Sequence, residues 1–325
     1  MATEGPRVAL VGCGRWGRNI ARALSRLGAL EVIVDPAASS QTDFAAELSA
    51  RVSADLTEAF AAGIDGVAIA APAVDHARLA QQALERGKAV FVEKPLALTV
   101  EDAEHVAVAA RRVGRPLMVG HLLQYHPAFV TMRRMVAAGA IGDLRHVSSN
   151  RLNPGAIRNE ETALWSMGPH DFSMILGLMG VEPTIVSALP VRIVDPTVPD
   201  QYHVQMAFPG GRTASVQLSW LSPFKEHKLT VLGTSGALVF EDTAREPEHK
   251  LVYYPDYIDR GGPMPRFNKG AGVTVPYEDD EPLIQEMKAF LAECRGDPGS
   301  VTGPDEAIPV LRLLQMAEAE TKRYA

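Results

Sequence analysis

The 325-residue sequence predicts an α/β domain built on a doubly wound parallel sheet, followed by an α+β domain with a largely antiparallel open sheet. Three observations carry this expectation. The first third alternates short β-branched runs with helical patterns, the rhythm of parallel strands covered by helices on both faces. A glycine-rich turn, Gly12-Cys13-Gly14-Arg15-Trp16-Gly17, sits between the first strand-like run and the first helical one. After about residue 122 successive alternating strands are joined by short turns, which describes an antiparallel sheet. The chain is also longer than one hydrophobic core usually serves. The expected division is a Rossmann domain over 1–121 and a substrate-binding and oligomerisation domain over 122–325, with a C-terminal helix able to pack back on the first domain.

Each element follows from its pattern. Arg7–Val11 reads as the first strand, and the glycine-rich turn leads into a helix from about Trp16 to Leu27. Glu31–Asp35 is the second strand. Gly66–Ala71 is a buried apolar run with helix Asp75–Arg86 behind it, and Ala89–Val92, helix Val100–Val113 and strand Pro116–Gly120 complete the domain. Beyond it, helix Ala128–Ala138 leads to strand Leu144–Arg151, irregular chain, and a helix over Asp171–Met179. Strands follow at Thr184–Val194, Tyr202–Phe208, Thr213–Trp220, Lys228–Leu232 and Ala237–Glu241. Residues 243–282, punctuated by Pro247, Pro255, Gly261, Gly262, Pro263 and Pro265, read as a long loop or irregular edge. Helices Pro282–Cys294 and Asp305–Tyr324 close the chain.

Composition narrows the function classes. Hydrophobic residues make up 46% and charged residues 22%, ordinary values that argue against disorder. A formal net charge of −7 speaks against nucleic acid or an anionic membrane as partner. Cys13 and Cys294 lie far apart and outside any CxxC or Cys/His spacing, and the nine histidines show no HExxH pattern, so no metal is expected. The beginning of the chain lacks a basic stretch followed by an apolar one, and a cytoplasmic location is expected.

The turn Gly12-Cys13-Gly14-Arg15-Trp16-Gly17 is a GxGxxG placed between strand and helix, the context that gives this motif meaning. Gly12 permits a tight turn, Gly14 lets a pyrophosphate approach the backbone, and Gly17 lets helix and strand pack closely. The N–H groups of the helix then face the phosphates. Asp35 ends the second strand 18 residues after Gly17, where a carboxylate accepts hydrogen bonds from adenosine ribose hydroxyls and repels a 2′-phosphate. The following Pro36-Ala37-Ala38-Ser39-Ser40 brings no arginine. NAD is therefore expected over NADP, the plainer account of Asp35 being a turn cap beside Pro36.

Glu93-Lys94-Pro95 lies just past another parallel strand, at the sheet end where ligands of doubly wound folds bind. Taken alone, Lys94 suits a donor to a reacting oxygen as well as half of an ion pair with Glu93. The combination of GxGxxG, the acid ending the second strand, Ala71-Pro72 with His76, and Glu93-Lys94-Pro95 resembles the Gfo/Idh/MocA oxidoreductase family over nearly the whole chain, Gly233-Thr234-Ser235-Gly236 included. The resemblance implies that Ala71, Pro72, His76, Glu93 and Pro95 join Gly12, Gly14, Arg15, Trp16, Gly17 and Asp35 around the cofactor. It also implies that Lys94 contacts the reacting oxygen. The family's second catalytic element is a histidine with an aspartate four residues earlier. Gly168-Pro169-His170-Asp171 supplies His170, but position 166 is serine. His170 suits general acid–base work because an imidazole titrates near neutrality; a structural histidine at a helix start is the alternative.

The polar stretch from Ser149 through Asp171 resembles the nucleotide-sugar branch of that family, whose members oxidise C3 of UDP-N-acetylglucosamine or its uronic acid. Arg151 and Arg158 could meet a diphosphate or carboxylate through their guanidinium forks, or belong to a solvated loop. Asn153, Asp171 and Tyr125 complete the expected substrate set, Tyr125 being equally suited to a core. The leading reading is a sugar or nucleotide-sugar dehydrogenase, or the same site run backwards as a ketosugar reductase. Inositol or free-sugar dehydrogenase is the nearest alternative, and a non-catalytic NAD-sensing regulator or a redox-neutral enzyme that recycles bound NAD are the more distant ones. A homodimer or homotetramer is expected, as in similar proteins.

Overall fold

The run Val8-Ala9-Leu10-Val11 is apolar at every position, and all four residues are buried, as a central strand covered on both faces requires. In a computed structural model, which describes residues 5–155, 157, 161–255, 258–259, 261–267, 272–297 and 299–324, this run is β1 (Val8–Val11). It is followed by α1 (Gly17–Arg26), β2 (Leu30–Val34), α2 (Thr42–Glu47), β3 (Arg51–Ser53), β4 (Gly66–Ile69) and α3 (Ala73–Glu85). Then come β5 (Ala89–Glu93), α4 (Val100–Val113) and β6 (Leu117–Gly120). The six strands pair in the order β3-β2-β1-β4-β5-β6, all parallel. Strand order reverses between β1 and β4, so the loops leaving their C-terminal ends diverge and open a crevice.

Local signals bound these helices. Thr99 caps α4 by accepting from the Asp102 N–H at 3.1 Å, Glu101 and Asp102 fill its first turn, Arg111 and Arg112 its last, and Gly114 ends it in a left-handed conformation. The three-residue β3 and six-residue α2 were not expected, because neither is long enough to show a period.

The second part of the chain contains α5 (Pro127–Ala137), β7 (Leu144–Pro154), α6 (Ala163–Met179), β8 (Ile185–Val191), β9 (Gln201–Phe208), β10 (Arg212–Ser219), β11 (Leu221–Gly233) and β12 (Gly236–Glu241). Next are β13 (Leu251–Pro255), β14 (Ile258–Asp259), β15 (Arg266–Phe267), β16 (Val273–Thr274), α7 (Pro282–Arg295) and α8 (Pro304–Thr321). Eight strands form one sheet in the order β16-β13-β12-β11-β7-β10-β9-β8. Among the described residues only β7 and β10 run parallel in it. β14 and β15 pair as a separate ribbon.

Three departures from the expected elements have physical causes. α6 begins at Ala163, not Asp171, and carries Pro169 inside it. Proline costs a helix one backbone bond, but Ala163, Leu164, Met167 and Gly168 are buried and packing holds the extra turns. β11 begins at Leu221, seven residues early, because its pairing with β7 is irregular between Leu221 and Glu226 and breaks the alternation. Within 243–282, β13 and β16 extend the large sheet where loop or irregular edge was expected.

The chain divides into two compact units, Met1–Tyr125 with Asp280–Leu311, and His126–Asp279 with Arg312–Ala325. The expected single boundary at 121/122 is thus replaced by a discontinuous division. α7 belongs to the first unit because Ile284, Met287, Phe290 and Leu291 join the core of that sheet, with the Phe290 ring 5.8 Å from that of Phe91 on β5. Among the described residues no helix is long and apolar enough to cross a membrane.

Candidate active site

In the first unit the sequence-selected residues gather at the C-terminal ends of the parallel strands. Gly12 has φ +90°, and a Cβ there would lie 2.6 Å from the Ala71 nitrogen on the turn after β4. A Cβ on Gly17 would meet the Gly12 carbonyl oxygen at 2.2 Å. Gly14, by contrast, faces open space. The turn is therefore closed behind and open in front, the shape a pyrophosphate needs. No acidic side chain occupies the first turn of α1 and no side chain caps it, so its N-terminal dipole is uncompensated there. Arg15 and Trp16 are exposed beside this opening.

Asp35 continues the arrangement from β2. Its Oδ2 accepts from the Cys13 N–H at 2.7 Å and its Oδ1 from the Ala37 N–H at 2.8 Å. Each carboxylate oxygen has a second lone pair, so ribose hydroxyls can still be met. Asp35 both orders the glycine-rich turn and presents negative charge. The nearby Arg18 is engaged by Gln41 at 2.8 Å and stacks on Phe44 at 4.6 Å.

His76, on α3, is buried and joins two turns: Nε2 faces the Ala71 carbonyl at 2.8 Å and Nδ1 the Pro95 carbonyl at 2.7 Å. Burial holds its pKa below the usual histidine range against the pull of those carbonyls. The ring ties the Ala71-Pro72 turn to the Lys94-Pro95 turn, whose peptide bond is cis. Glu93 ends β5 and its carboxylate accepts from the Trp16 indole N–H on the glycine-rich turn. Burial pushes the Glu93 carboxyl up to about 7 in spite of that bond and the Lys94 charge. Gly120, its register partner on β6, leaves it room, since a Cβ there would sit 3.0 Å from Oε1. Lys94 is half-buried at the end of this strand. Tyr125 is placed elsewhere in the unit: its hydroxyl bonds Thr302 at 2.9 Å and Ser300 at 3.1 Å.

In the second unit His170 lies on α6, partly exposed. Two contacts fix the helix around it. Trp165 donates to Glu318 on α8 at 2.8 Å. Asp171, fully buried, accepts from Ser149 Oγ at 2.6 Å and from Arg151 Nε at 2.5 Å, both on β7. Asp171 thus anchors α6 rather than flanking His170, as adjacent helical positions point about 100° apart. Arg151 is committed to Asp171 and buried, so its guanidinium is not presented to an anionic ligand. Arg158 lies outside the described residues.

Sequence reasoning missed the polar chain beyond Arg151. Arg151 Nη1 approaches His227 Nδ1 at 3.3 Å, and His227 Nε2 approaches Asn153 Oδ1 at 3.1 Å. A ring accepting from arginine at one nitrogen and donating to an amide oxygen at the other is neutral, and burial lowers its pKa accordingly. Asp242 adds contacts to His126 at 3.3 Å and Lys250 at 3.3 Å. The irregular start of β11 concealed that His227 and Arg151 are register partners.

Residues 6–121 match the Gfo/Idh/MocA profile described as an oxidoreductase family with an NAD-binding Rossmann fold, and residues 129–239 match the Gfo/Idh/MocA C-terminal domain. The chain is 31% identical to inositol 2-dehydrogenase of Rhizobium meliloti over 73% of this chain and 76% of that protein. It is 32% identical to myo-inositol dehydrogenase Hyg17 of Streptomyces leeuwenhoekii, spanning 54% of this chain and little more than half, 56%, of that relative's length. It is 29% identical to UDP-N-acetylglucosamine 3-dehydrogenase of Acidithiobacillus ferrooxidans over 58% and 59%. The crystal structure of that last protein shares the fold, with a TM-score of 0.87, 22% identity, and 98% and 99% of the two chains covered.

Two outcomes are expected from this geometry. Asp35→Ala removes ribose acceptors and the support of the Cys13 N–H together, so NAD should bind more weakly by about 1.5–3 kcal/mol while its advantage over NADP narrows. Fluorescence titration with both reduced cofactors checks this; an unchanged ratio would contradict it. Arg151→Met should destabilise the fold by about 3–5 kcal/mol, because Asp171 is left as a buried unpaired charge. Urea unfolding reads this directly, and wild-type stability in the variant would show that the pair does not anchor α6.

Proposed function

This chain belongs to the Gfo/Idh/MocA oxidoreductase family, and on that footing we propose that it oxidises a ring secondary alcohol of a sugar, or reduces the matching ketone. The specific reading is C3 of a nucleotide sugar such as UDP-N-acetylglucosamine or its uronic acid. One observation carries the proposal: Lys94 follows β5 at the open end of an NAD-binding Rossmann sheet, beside a turn that Trp16 joins to the glycine-rich loop and His76 joins to the turn after β4. NAD, when bound, supplies the hydride acceptor or donor.

The chain's own residues take the remaining roles. The Lys94 ammonium holds the oxygen of the alcohol or ketone and favours the charge that develops on it. His170 receives the hydroxyl proton during oxidation and returns it during reduction. Asp171 and Trp165 act on His170 indirectly, by fixing the helix that presents it. With serine at 166, the imidazole works without a carboxylate four residues before it.

The substrate reading rests on the dehydrogenase of Acidithiobacillus ferrooxidans among the relatives and on Arg158 as a guanidinium for the diphosphate. A nucleotide sugar offers much binding energy from parts that do not react, which an enzyme can spend on orientation. Inositol is the second reading, favoured by the longer match to the Rhizobium meliloti enzyme.

Lys94→Ala is expected to lower turnover by several orders of magnitude with NAD affinity nearly unchanged, and His170→Ala by about 10²–10⁴-fold. Wild-type turnover in either variant, measured by reduced-cofactor absorbance, would remove that residue from the reaction. Calorimetry of the NAD complex with UDP-N-acetylglucosamine, its uronic acid and myo-inositol separates the substrate classes. Arg158→Ala should weaken the nucleotide sugar by about 1.5–3 kcal/mol and leave the neutral polyol unaffected. Binding of inositol alone would transfer the assignment to the second reading.

A further inference from the structure

Behind Glu93 lies a carboxyl group that none of these roles uses. Glu286 on α7 has no solvent exposure, and neither of its side-chain oxygens has a hydrogen-bond partner. Its placement follows from two periods. Residues 91 and 93 share a face of β5, because strand side chains alternate; residues 286 and 290 share a face of α7, one turn apart. Phe290 packs on Phe91. One step along each element from that contact, about 6 Å in both cases, sets Glu286 opposite Glu93.

Two carboxylates cannot both be ionised at close quarters in a site without water. An ionised Glu286 with no donor would be a bare buried charge, whereas a protonated one has a single O–H to donate. The charged group that acts most strongly on Glu286 is the Glu93 carboxyl on the facing strand. We propose that Glu286 is a positioning residue that shares one proton with Glu93, so that the pair carries one negative charge and Glu93 is held in place to receive the Trp16 indole and to flank Lys94. Glu286 then acts on Lys94 through Glu93, by limiting the negative charge beside the ammonium.

The surrounding charges agree with one shared proton. Burial, then Glu93, then Glu306 raise the Glu286 carboxyl well above the ordinary range. Lys94 and His121 pull Glu93 the other way, and Tyr125 also senses Glu286. Glu306 itself is paired with His121 at 2.5 Å, and at the start of α7 Glu281 is met by Arg26 of α1 at 2.8 Å. Glu93 is thus the more acidic partner and Glu286 the proton holder. Protons of such pairs belong to the pair rather than to one member.

The test uses the cofactor-free protein, so its result is independent of the substrate reading and of whether Lys94 is catalytic. An exposed glutamate is ionised about 500 to 1 at pH 7. Infrared spectroscopy of wild type should nevertheless show a protonated-carboxyl C=O band at pH 7, and Glu286→Gln should abolish it. The folded protein holds this proton more tightly than the unfolded chain. Stability from the pair is therefore present at acid pH and lost as pH rises from the unfolded carboxyl range, about 4.3, through the raised folded titration of the pair. Wild-type Tm should fall more between pH 5 and pH 8 than that of Glu286→Gln. In an active preparation, the same variant should shift the alkaline limb of the pH–rate profile downward, because it cannot gain the second negative charge that the wild-type pair acquires on losing its shared proton and that stabilises the Lys94 ammonium. If Glu286→Gln does not fold, Glu93→Gln serves: the band should persist at pH 6 and titrate at lower pH than in wild type, because its charged neighbour is gone. Absence of the band in wild type, its survival in Glu286→Gln, or an unmoved titration in Glu93→Gln would each overturn the proposal.

Discussion

The first unit depends on one close approach, that of the Gly12 backbone to the turn after β4. A side chain at Gly12 would sit 2.6 Å from the Ala71 nitrogen, and one at Gly17 would sit 2.2 Å from the Gly12 carbonyl. These contacts press α1 onto the sheet and fix where its N-terminus points. Everything at the C-terminal edge of the sheet is then built by contact with that turn: Asp35 accepts from Cys13, Trp16 reaches Glu93, and His76 binds the Ala71 and Pro95 carbonyls. Each turn is positioned by another turn instead of by its own strand alone, which gives a loop-borne site the rigidity of a sheet.

The second unit solves a different problem, how to hold a histidine on a helix interrupted by proline. The answer is a buried ion pair. Asp171 and Arg151 bind α6 to β7, and Ser149 and His227 satisfy the groups that the pair leaves over. Such a pair contributes little net stability compared with an apolar contact of the same size, but losing one member is costly. It fixes the register and orientation of α6, and with them the place of His170. The charge at Asp242 extends the same logic: burial alone would raise its pKa, yet His126 and Lys250 help bring it well below the ordinary carboxylate range.

The two units use charge in opposite ways. In the second, Asp171 is met by Arg151 and Ser149, and Asp242 by His126 and Lys250. In the first, Glu93 and Glu286 face each other and a proton takes the place of a cation. That difference follows from location. A cation behind Glu93 would compete with Lys94 for its carboxylate, whereas a neutral acid leaves the lysine as the principal positive charge on that turn.

Much of the fold and half of the candidate site were legible in the sequence because they rest on local rules. The glycine spacing, the acid ending β2, the capped α4 and the apolar run of β1 each state their geometry within a few residues, since backbone sterics and periodicity act over that range. What the sequence could not settle is what each polar side chain faces. Arg151 and Asp171 read as substrate residues because polar groups clustered in an interrupted segment look solvent-facing, and only the pairing of β7 with β11 and α6 shows them turned inward on each other. Tyr125 similarly closes on Thr302, 177 residues away. Glu286 sits in an ordinary amphipathic helix pattern, and nothing within α7 marks it. Its meaning comes from Glu93, 193 positions earlier, brought opposite by the packing of Phe290 on Phe91. Backbone conformation is decided by neighbours along the chain, but the charge state and partner of a buried side chain are decided by neighbours in space, and those are fixed only when the core closes.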